Sequence, residues 1–433
     1  MIDILDLKPF EISSIKPPTE NYSLTFRLTR NCYWNKCAFC PVYKLGAKFS
    51  KRDLKDVLKD ISQARILDDF LFEQGIGYPA YTNADFERSI PLIEKIRETH
   101  WQAGIIHDED NARKYCDIDY EKLDDRMKWF LTWFKDKPTF EDSINNIITW
   151  RMGGSKNCFL GDGDNLILKP DFIKKVVERI KQSFPVIERF TIYGKTRTAA
   201  RQRSLKELKQ FADAPIHRVH FGLESGSDEV LKLVNKGATQ QEHIDGCLKV
   251  KEAGMSCSLY IMPGLGGKEL SQQNAEETAK VLSIIKPDFV RIRSLEIFPG
   301  TPLEEMQMAG TFTLADEEDY IREIRHIIAE TDGDMEILSD SASNLLNIYG
   351  NLPQDRSTML QTTDNYLALS NRERLEFSLQ SRLASFMGQY GDLSRDIYEV
   401  IEPMLINSSL DTSQTSDNYL KIAITLIRSK LMP

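Results

Sequence analysis

No stretch of this sequence approaches the roughly 18–20 consecutive apolar residues needed to cross a bilayer. The first ten residues, MIDILDLKPF, carry acids where a secretory leader would be continuously apolar. The expectation is a cytoplasmic chain without a membrane contact. Histidine is scarce, six in 433 residues, so imidazole-based metal sites have few ligands to draw on. Internal repeats and low-complexity tracts are also missing, and the composition excludes collagen-like and wholly disordered chains. The seven cysteines are an odd number in a long chain, and this argues against a disulfide scaffold. In a reducing compartment a tight cysteine cluster reads as a metal site. What is present, 41% hydrophobic and 28% charged residues, suits a soluble globular protein of two or three domains, or one elaborated α/β barrel.

Charge is unevenly spread. Residues 61–150 hold 11 Lys/Arg against 18 Asp/Glu, and residues 307–433 hold 10 against 20, while the rest of the chain holds 35 against 27. A basic middle between acidic accessory segments suits an anionic cofactor or substrate; an ordinary solvated surface reads equally well.

Between 151 and 306 short β-branched runs alternate with amphipathic stretches. Strands are expected at 158–160, 189–193, 217–222, 256–262 and 288–295, with NYSLTFRL (21–28) as the first. Helices are expected at 170–184, 204–213, 227–237 and 241–254, the last two ending in glycine. This alternation predicts βα units and a parallel sheet. Six strands fall short of the eight of a closed barrel, so the expected fold class is α/β with a partial, open barrel. Residues 61–150, which hold Trp101, Trp129, Trp133 and Trp150, read as a mainly helical insertion. From 314 onward the pattern is helical without strands. The expected division is an N-terminal extension (1–20), a barrel (21–306) with its insertion, and an all-helical, acidic C-terminal domain (307–433).

The strongest chemical signal is Cys32-Tyr33-Trp34-Asn35-Lys36-Cys37-Ala38-Phe39-Cys40, directly after the first strand. Three cysteines with no fourth Cys or His nearby fit closed tetrahedral zinc poorly and lack one thiolate of a four-ligand [4Fe–4S] cluster. They would leave one iron of such a cluster open to bind a cofactor or substrate. Zinc and chance spacing stay open as alternatives. Cys116, Cys158, Cys247 and Cys257 are isolated and read as small buried hydrophobes.

In this motif the sequence resembles the radical S-adenosylmethionine (SAM) superfamily, and the resemblance runs over about residues 21–306. It implies a partial (βα)6 barrel in which Cys32, Cys37 and Cys40 hold a [4Fe–4S] cluster. SAM would chelate the open iron and be cleaved reductively to a 5′-deoxyadenosyl radical. The spacing here is C-x4-C-x2-C, one residue longer than the usual C-x3-C-x2-C, so the loop between Tyr33 and Lys36 is expected to bulge. Phe39 fits the family's aromatic position beside the adenine.

Further motifs follow in order. Gly161-Asp162-Gly163-Asp164 resembles the turn that receives the SAM amino group, although alone it is an ordinary Gly/Asp turn. His220 to Gly237 resembles the fourth strand and helix of the oxygen-independent coproporphyrinogen dehydrogenases and of the methylthiotransferases. In it Glu224 and Ser225 fall near SAM, and Lys236 falls on the basic residue that pairs with the SAM carboxylate; a helix-end lysine favoured by the dipole is the alternative. Tyr260 to Gly267, with Met262, resembles the adenine turn, and Phe298 to Leu303 a Pro-Gly-Thr-Pro segment. Tyr193 replaces a ribose-binding glutamate. Lys195, Arg197, Arg201 and Arg203 could steer an anion or form a solvated helix face. The resemblance thus assigns cofactor contacts to Phe39, Gly161, Asp162, Gly163, Tyr193, Glu224, Ser225, Lys236, Tyr260 and Met262, and implies a reductant such as flavodoxin or ferredoxin.

The missing second cluster argues against sulfur insertion. An acetyltransferase domain and a cobalamin signature are not evident either. Acidic accessory segments disfavour an RNA substrate, leaving a small metabolite or cofactor precursor, with the Trp-rich insertion as its cover. Two rival readings are a non-catalytic interaction protein with a structural cluster or zinc, and a porphyrin-enzyme relative that carries haem on a ligand such as His107.

Overall fold

The structure is a computed structural model, and it describes residues 2–13, 15–42, 48–105, 128, 138–392, 395, 398–399, 401–403 and 414–431. His107, Cys116, Trp129 and Trp133 lie outside the described residues.

Ten strands are described: β1 (Leu24–Arg27), β2 (Thr29–Arg30), β3 (Ser50–Lys51), β4 (Asn157–Gly161), β5 (Arg189–Gly194), β6 (Ile216–Glu224), β7 (Ser256–Ile261), β8 (Phe289–Ile292), β9 (Met335–Leu338) and β10 (Tyr349–Leu352). Eight form one sheet in the order β1-β4-β5-β6-β7-β8-β9-β10, while β2 and β3 pair separately. Neighbours from β1 through β9 run parallel, and β10 turns back antiparallel to β9. The first and last strands do not pair, so the barrel is open. The six expected strands are all present at their expected places.

Each parallel strand carries two different faces. Leu24, Phe26 and Leu28, then Phe190 and Ile192, Val219, Phe221 and Leu223, Cys257, Leu259 and Ile261, and Val290 and Ile292 all join one apolar core cluster. That face packs on helices; in Pro170–Ser183, Ile173, Val176, Val177 and Ile180 recur at helical spacing and are buried. The alternate residues (Thr25, Arg27, Thr191, Tyr193, His220, Ser258, Tyr260, Arg291) point to the other side. Strands buried on both faces in a parallel sheet are normally apolar throughout; this polar inner row marks a concave interior.

The N-terminal segment plugs one end of that interior. Glu20 is buried, with Arg189 of β5 and His220 of β6 each at 3.3 Å, while Thr19 accepts from Arg291 of β8. One short segment reaching three strands requires the sheet to curve around it. Burial lowers the His220 pKa to about 4 against the pull of Glu20, so the imidazole is neutral near pH 7. Burial also opposes charge on Glu20, but His220, Arg189 and Ser23 outweigh it and hold its pKa below the usual carboxylate range.

The insertion is helical where described, with helices at Leu54–Glu73, Ala84–Gln102 and Phe140–Met152. Its first helix starts before residue 61, and its last leads into β4 as the crossover from β1, Asn146 accepting from the Thr25 N–H at 2.9 Å. Trp150 is fully buried, 5.3 Å edge-on from Phe184, and Trp101 is exposed. Neither covers the inner face.

The C-terminal region is mainly helical, but the expectation that it lacks strands is corrected by β9 and β10. Its helix Glu317–Glu330 places Ile321, Ile324, Ile327 and Ile328 in the same core as the barrel, whereas Leu379, Phe386, Leu420 and Ile427 of the last helices form a core of their own. Packing therefore changes near residue 370 rather than at 306.

Candidate functional site

β1 ends at Arg27, and the cysteine loop begins at Asn31. Asp162, at the end of β4, fixes this departure. Its Oδ2 accepts from Arg27 Nε (3.0 Å) and Nη2 (2.8 Å) and from the Asn31 N–H (3.1 Å). The pair is almost fully buried, with side chains 5% and 3% exposed. Beneath it, Glu11 binds Arg30 and Arg52 and lies 3.6 Å from Arg27. The expected cofactor-binding Asp162 is thus engaged as the anchor of the loop. Gly161 is tight against Ser13, and a side chain on Gly163 would press on Asn31 and Cys32, so this glycine permits the loops after β1 and β4 to touch.

The extra residue of the cysteine motif is absorbed by a left-handed Asn35, φ 43°. Trp34 swings out to donate from Nε1 to the Asn235 carbonyl (2.8 Å), with Lys36 and Arg197 over its ring at 5.3 and 5.5 Å. Ala38 then clamps the loop twice, donating to the Val234 carbonyl (2.8 Å) and accepting from the Leu303 N–H (3.0 Å). The Pro-Gly-Thr-Pro segment serves this clamp: Thr301 caps, and Pro302 opens, the helix that presents Leu303.

Cys32 and Cys40 are half-buried, Cys37 is buried, and all are free thiols. Burial raises the Cys37 pKa against the positive charges of Lys236 and Lys195. Burial and the neighbouring Cys37 push Cys40 up to about 11. Burial opposes charge on Lys195, but Cys32, Cys37 and Asp164 outweigh it and raise its pKa. Asp164 lies beneath, pushed up to about 6 by burial although Thr198 and the Lys195 N–H donate to it.

Among the described residues no three His, Cys, Asp or Glu side chains gather about one ion position, whereas zinc ligands converge on one point. A [4Fe–4S] cluster gives each thiolate its own iron. Three thiols on one clamped loop, facing two lysines that offset their charge, fit that group.

β6 supplies the opposite wall. Glu224 takes φ 65°, which turns its side chain to Lys236 Nζ (2.9 Å), both about a tenth exposed. Lys236 Nζ lies 5.9 Å from the Phe39 ring, and its carbonyl accepts from Cys37 Sγ (3.9 Å). Phe39, Glu224, Lys236 and the cysteines are therefore brought together as expected. Tyr193 and Tyr260 are half-buried on the inner face nearby, Tyr193 stacked edge-on against Phe159 (5.1 Å) and Tyr260 opposite Arg291. Ser225 and Met262 are used otherwise: Ser225 accepts from the Ser227 N–H (3.0 Å) to close a turn, and Met262 packs in the core below Phe39.

Gly264, φ 85°, carries the expected adenine turn. Its N–H donates to Glu323 Oε2 (3.1 Å) of the helix Glu317–Glu330, and Tyr320 packs where a Cβ would stand. Burial pushes Glu323 up to about 7. The basic run after β5 is largely structural: Arg203 bonds the Leu166 and Leu168 carbonyls, and Arg201 pairs with Glu242. Sequence reading missed Glu11, Arg27 and Glu323. A charge inside an apolar strand, as in LTFR, was the available signal for Arg27.

Residues 114–281 match the model of the Radical SAM superfamily. The cysteine loop lies before the matched segment. The tRNA uridine(34) acetyltransferase of Methanocaldococcus infernus is 30% identical over 125 residues, 28% of this chain and 23% of that protein. The heme chaperone HemW of Bacillus subtilis is 21% identical over 179 residues, 41% of this chain and 46% of that one. Coproporphyrinogen III oxidase from Escherichia coli, whose structure is described as a radical SAM enzyme, is 14% identical at a TM-score of 0.30, covering 63% of this chain and 77% of its own. The chain spans less than half the length of the curated relatives it matches.

Proposed function

We propose that this chain is a radical SAM enzyme acting on a small molecule or cofactor precursor. The observation that carries the reading is the joint placement of Cys32, Cys37 and Cys40 against Lys236, Glu224 and Phe39, at the rim of a polar barrel interior. Radical SAM proteins use a [4Fe–4S] cluster and SAM. When bound, these supply a one-electron cleavage that yields a carbon radical able to abstract hydrogen.

The chain's own residues do the rest. Cys32, Cys37 and Cys40 would hold the cluster. Lys236 offers a point cation to the SAM carboxylate, and Glu224 keeps that ammonium in place. Phe39 and Tyr260 flank the adenine, Tyr193 faces the interior, and the Gly163 backbone allows close approach to Cys32. The polar interior plugged by Pro18–Glu20 limits water from that end. A low-potential donor such as flavodoxin or ferredoxin supplies the electron.

An RNA substrate is the second reading, because several relatives are named as acting on tRNA. The acidic accessory segments weigh against it. No described helix is long and apolar enough to cross a membrane. The test is anaerobic reconstitution with iron and sulfide. A dithionite-reduced [4Fe–4S] EPR signal that SAM perturbs is expected, and a cluster indifferent to SAM would turn the reading to a binding protein.

A further inference from the structure

Two arginines leave β8 on its inner face. Arg291, opposite Tyr260 and 5.8 Å from its ring, is fully buried and engaged through all three guanidinium nitrogens, donating to Asp340, Thr19 and Ser258. Arg293 follows two residues later, its N–H bonded to the Ile261 carbonyl (3.0 Å). A period of two puts its side chain on the same face, one step nearer the strand ends where the cysteine loop sits. It is half-buried and makes no side-chain hydrogen bond or ion pair with any described residue.

Most other cations at this end are engaged, and Lys195 lies over the Tyr33 ring beside Cys32 and Cys37. Arg27 holds Asp162, Lys236 holds Glu224, and Arg203 holds two carbonyls. The Tyr193 hydroxyl also has no hydrogen bond to a described residue. Tyr193, Tyr260 and Arg293 alternate onto the same inner face, toward the strand ends that carry the cysteine loop. A half-desolvated guanidinium without a partner is costly, and its planar fork of donors matches a carboxylate or phosphate.

We propose that Arg293, assisted by the Tyr193 hydroxyl, binds the carboxylate or phosphate group of a small anionic substrate at the barrel mouth. The proposal deepens the radical SAM reading and rests on it for the word substrate; the anion site itself stands on geometry.

Binding of radiolabelled inorganic phosphate and of labelled acetate is measured by equilibrium dialysis on the reconstituted full chain, with and without SAM. Relaxation of the phosphate 31P and acetate 13C nuclei by the reduced cluster reports proximity. The expected result is binding in the wild type, at least tenfold weaker in Arg293→Gln and partly restored in Arg293→Lys, with the cluster EPR signal unchanged by both substitutions. Stronger retention of phosphate assigns a phosphorylated substrate, and of acetate a carboxylate. Equal binding by wild type and Arg293→Gln overturns the proposal. So does displacement of the probe by SAM, which would give Arg293 to the cofactor. A wild type that binds phosphate through Arg293 but assembles no cluster would refute the radical SAM reading while leaving the anion site standing.

Discussion

Asp162→Asn separates an anchoring role from cofactor binding. The substitution keeps the volume and removes the charge that receives Arg27 and the Asn31 N–H. Breaking a buried ion pair typically costs about 3–5 kcal/mol, because the remaining charge is left uncompensated. Glu11, 3.6 Å from Arg27, offsets part of that loss, so a cost of about 3 kcal/mol is expected, or roughly a hundredfold in the folding equilibrium. Urea unfolding of the apo-protein, followed by near-UV circular dichroism, should show the midpoint falling by about 1 M for a slope near 3 kcal/mol per M. The loss must appear without SAM, since the anchor belongs to the protein alone. If the apo midpoint stays within about 0.5 kcal/mol of the wild type while SAM affinity collapses, Asp162 is a cofactor ligand and the anchoring argument is wrong.

Lys236→Ala should weaken SAM binding by about 2 kcal/mol, the scale for losing one partner of a charged hydrogen bond, or about thirtyfold; calorimetric titration showing unchanged affinity would remove its role. Glu323, raised to about 7 by burial, holds its proton in the folded state while the unfolded chain has released it. Its stabilising contribution is therefore full below about pH 4.5 and is lost as pH rises to about 7, and Glu323→Gln should flatten this fall of stability measured between pH 5 and 7. A 1–306 fragment loses β9, β10 and the isoleucines of Glu317–Glu330 and should not fold, whereas 1–370 should give a cooperative thermal transition; a folded 1–306 would restore the boundary at 306.

The framework of the fold was legible because βα units announce themselves twice, through β-branched runs and through capped amphipathic helices. Thr239 and Glu242, for example, form the capping box of Gln240–Glu252. β9 and β10 escaped because MEIL and YGNL stand outside the βα alternation and YGNL carries Gly and Asn, which are depleted in strands; they are held as strands by pairing with β8 and with each other. Cys32, Cys37, Cys40, Phe39, Glu224 and Lys236 were readable as one site because they fall on a single loop and a single strand–helix turn. Asp162 was read toward the cofactor because its partner Arg27 lies 135 residues away, and sequence order does not disclose which strands are neighbours. Arg293 carries no local motif at all; only the register of β8 with β7 shows which way it faces.

The most direct test of the account is the production of 5′-deoxyadenosine, assayed by mass spectrometry after anaerobic reconstitution with iron and sulfide and reduction in the presence of SAM. Deoxyadenosine formed by the wild type and abolished in Cys37→Ala is the predicted result. A wild type that assembles the cluster and leaves SAM intact would contradict it.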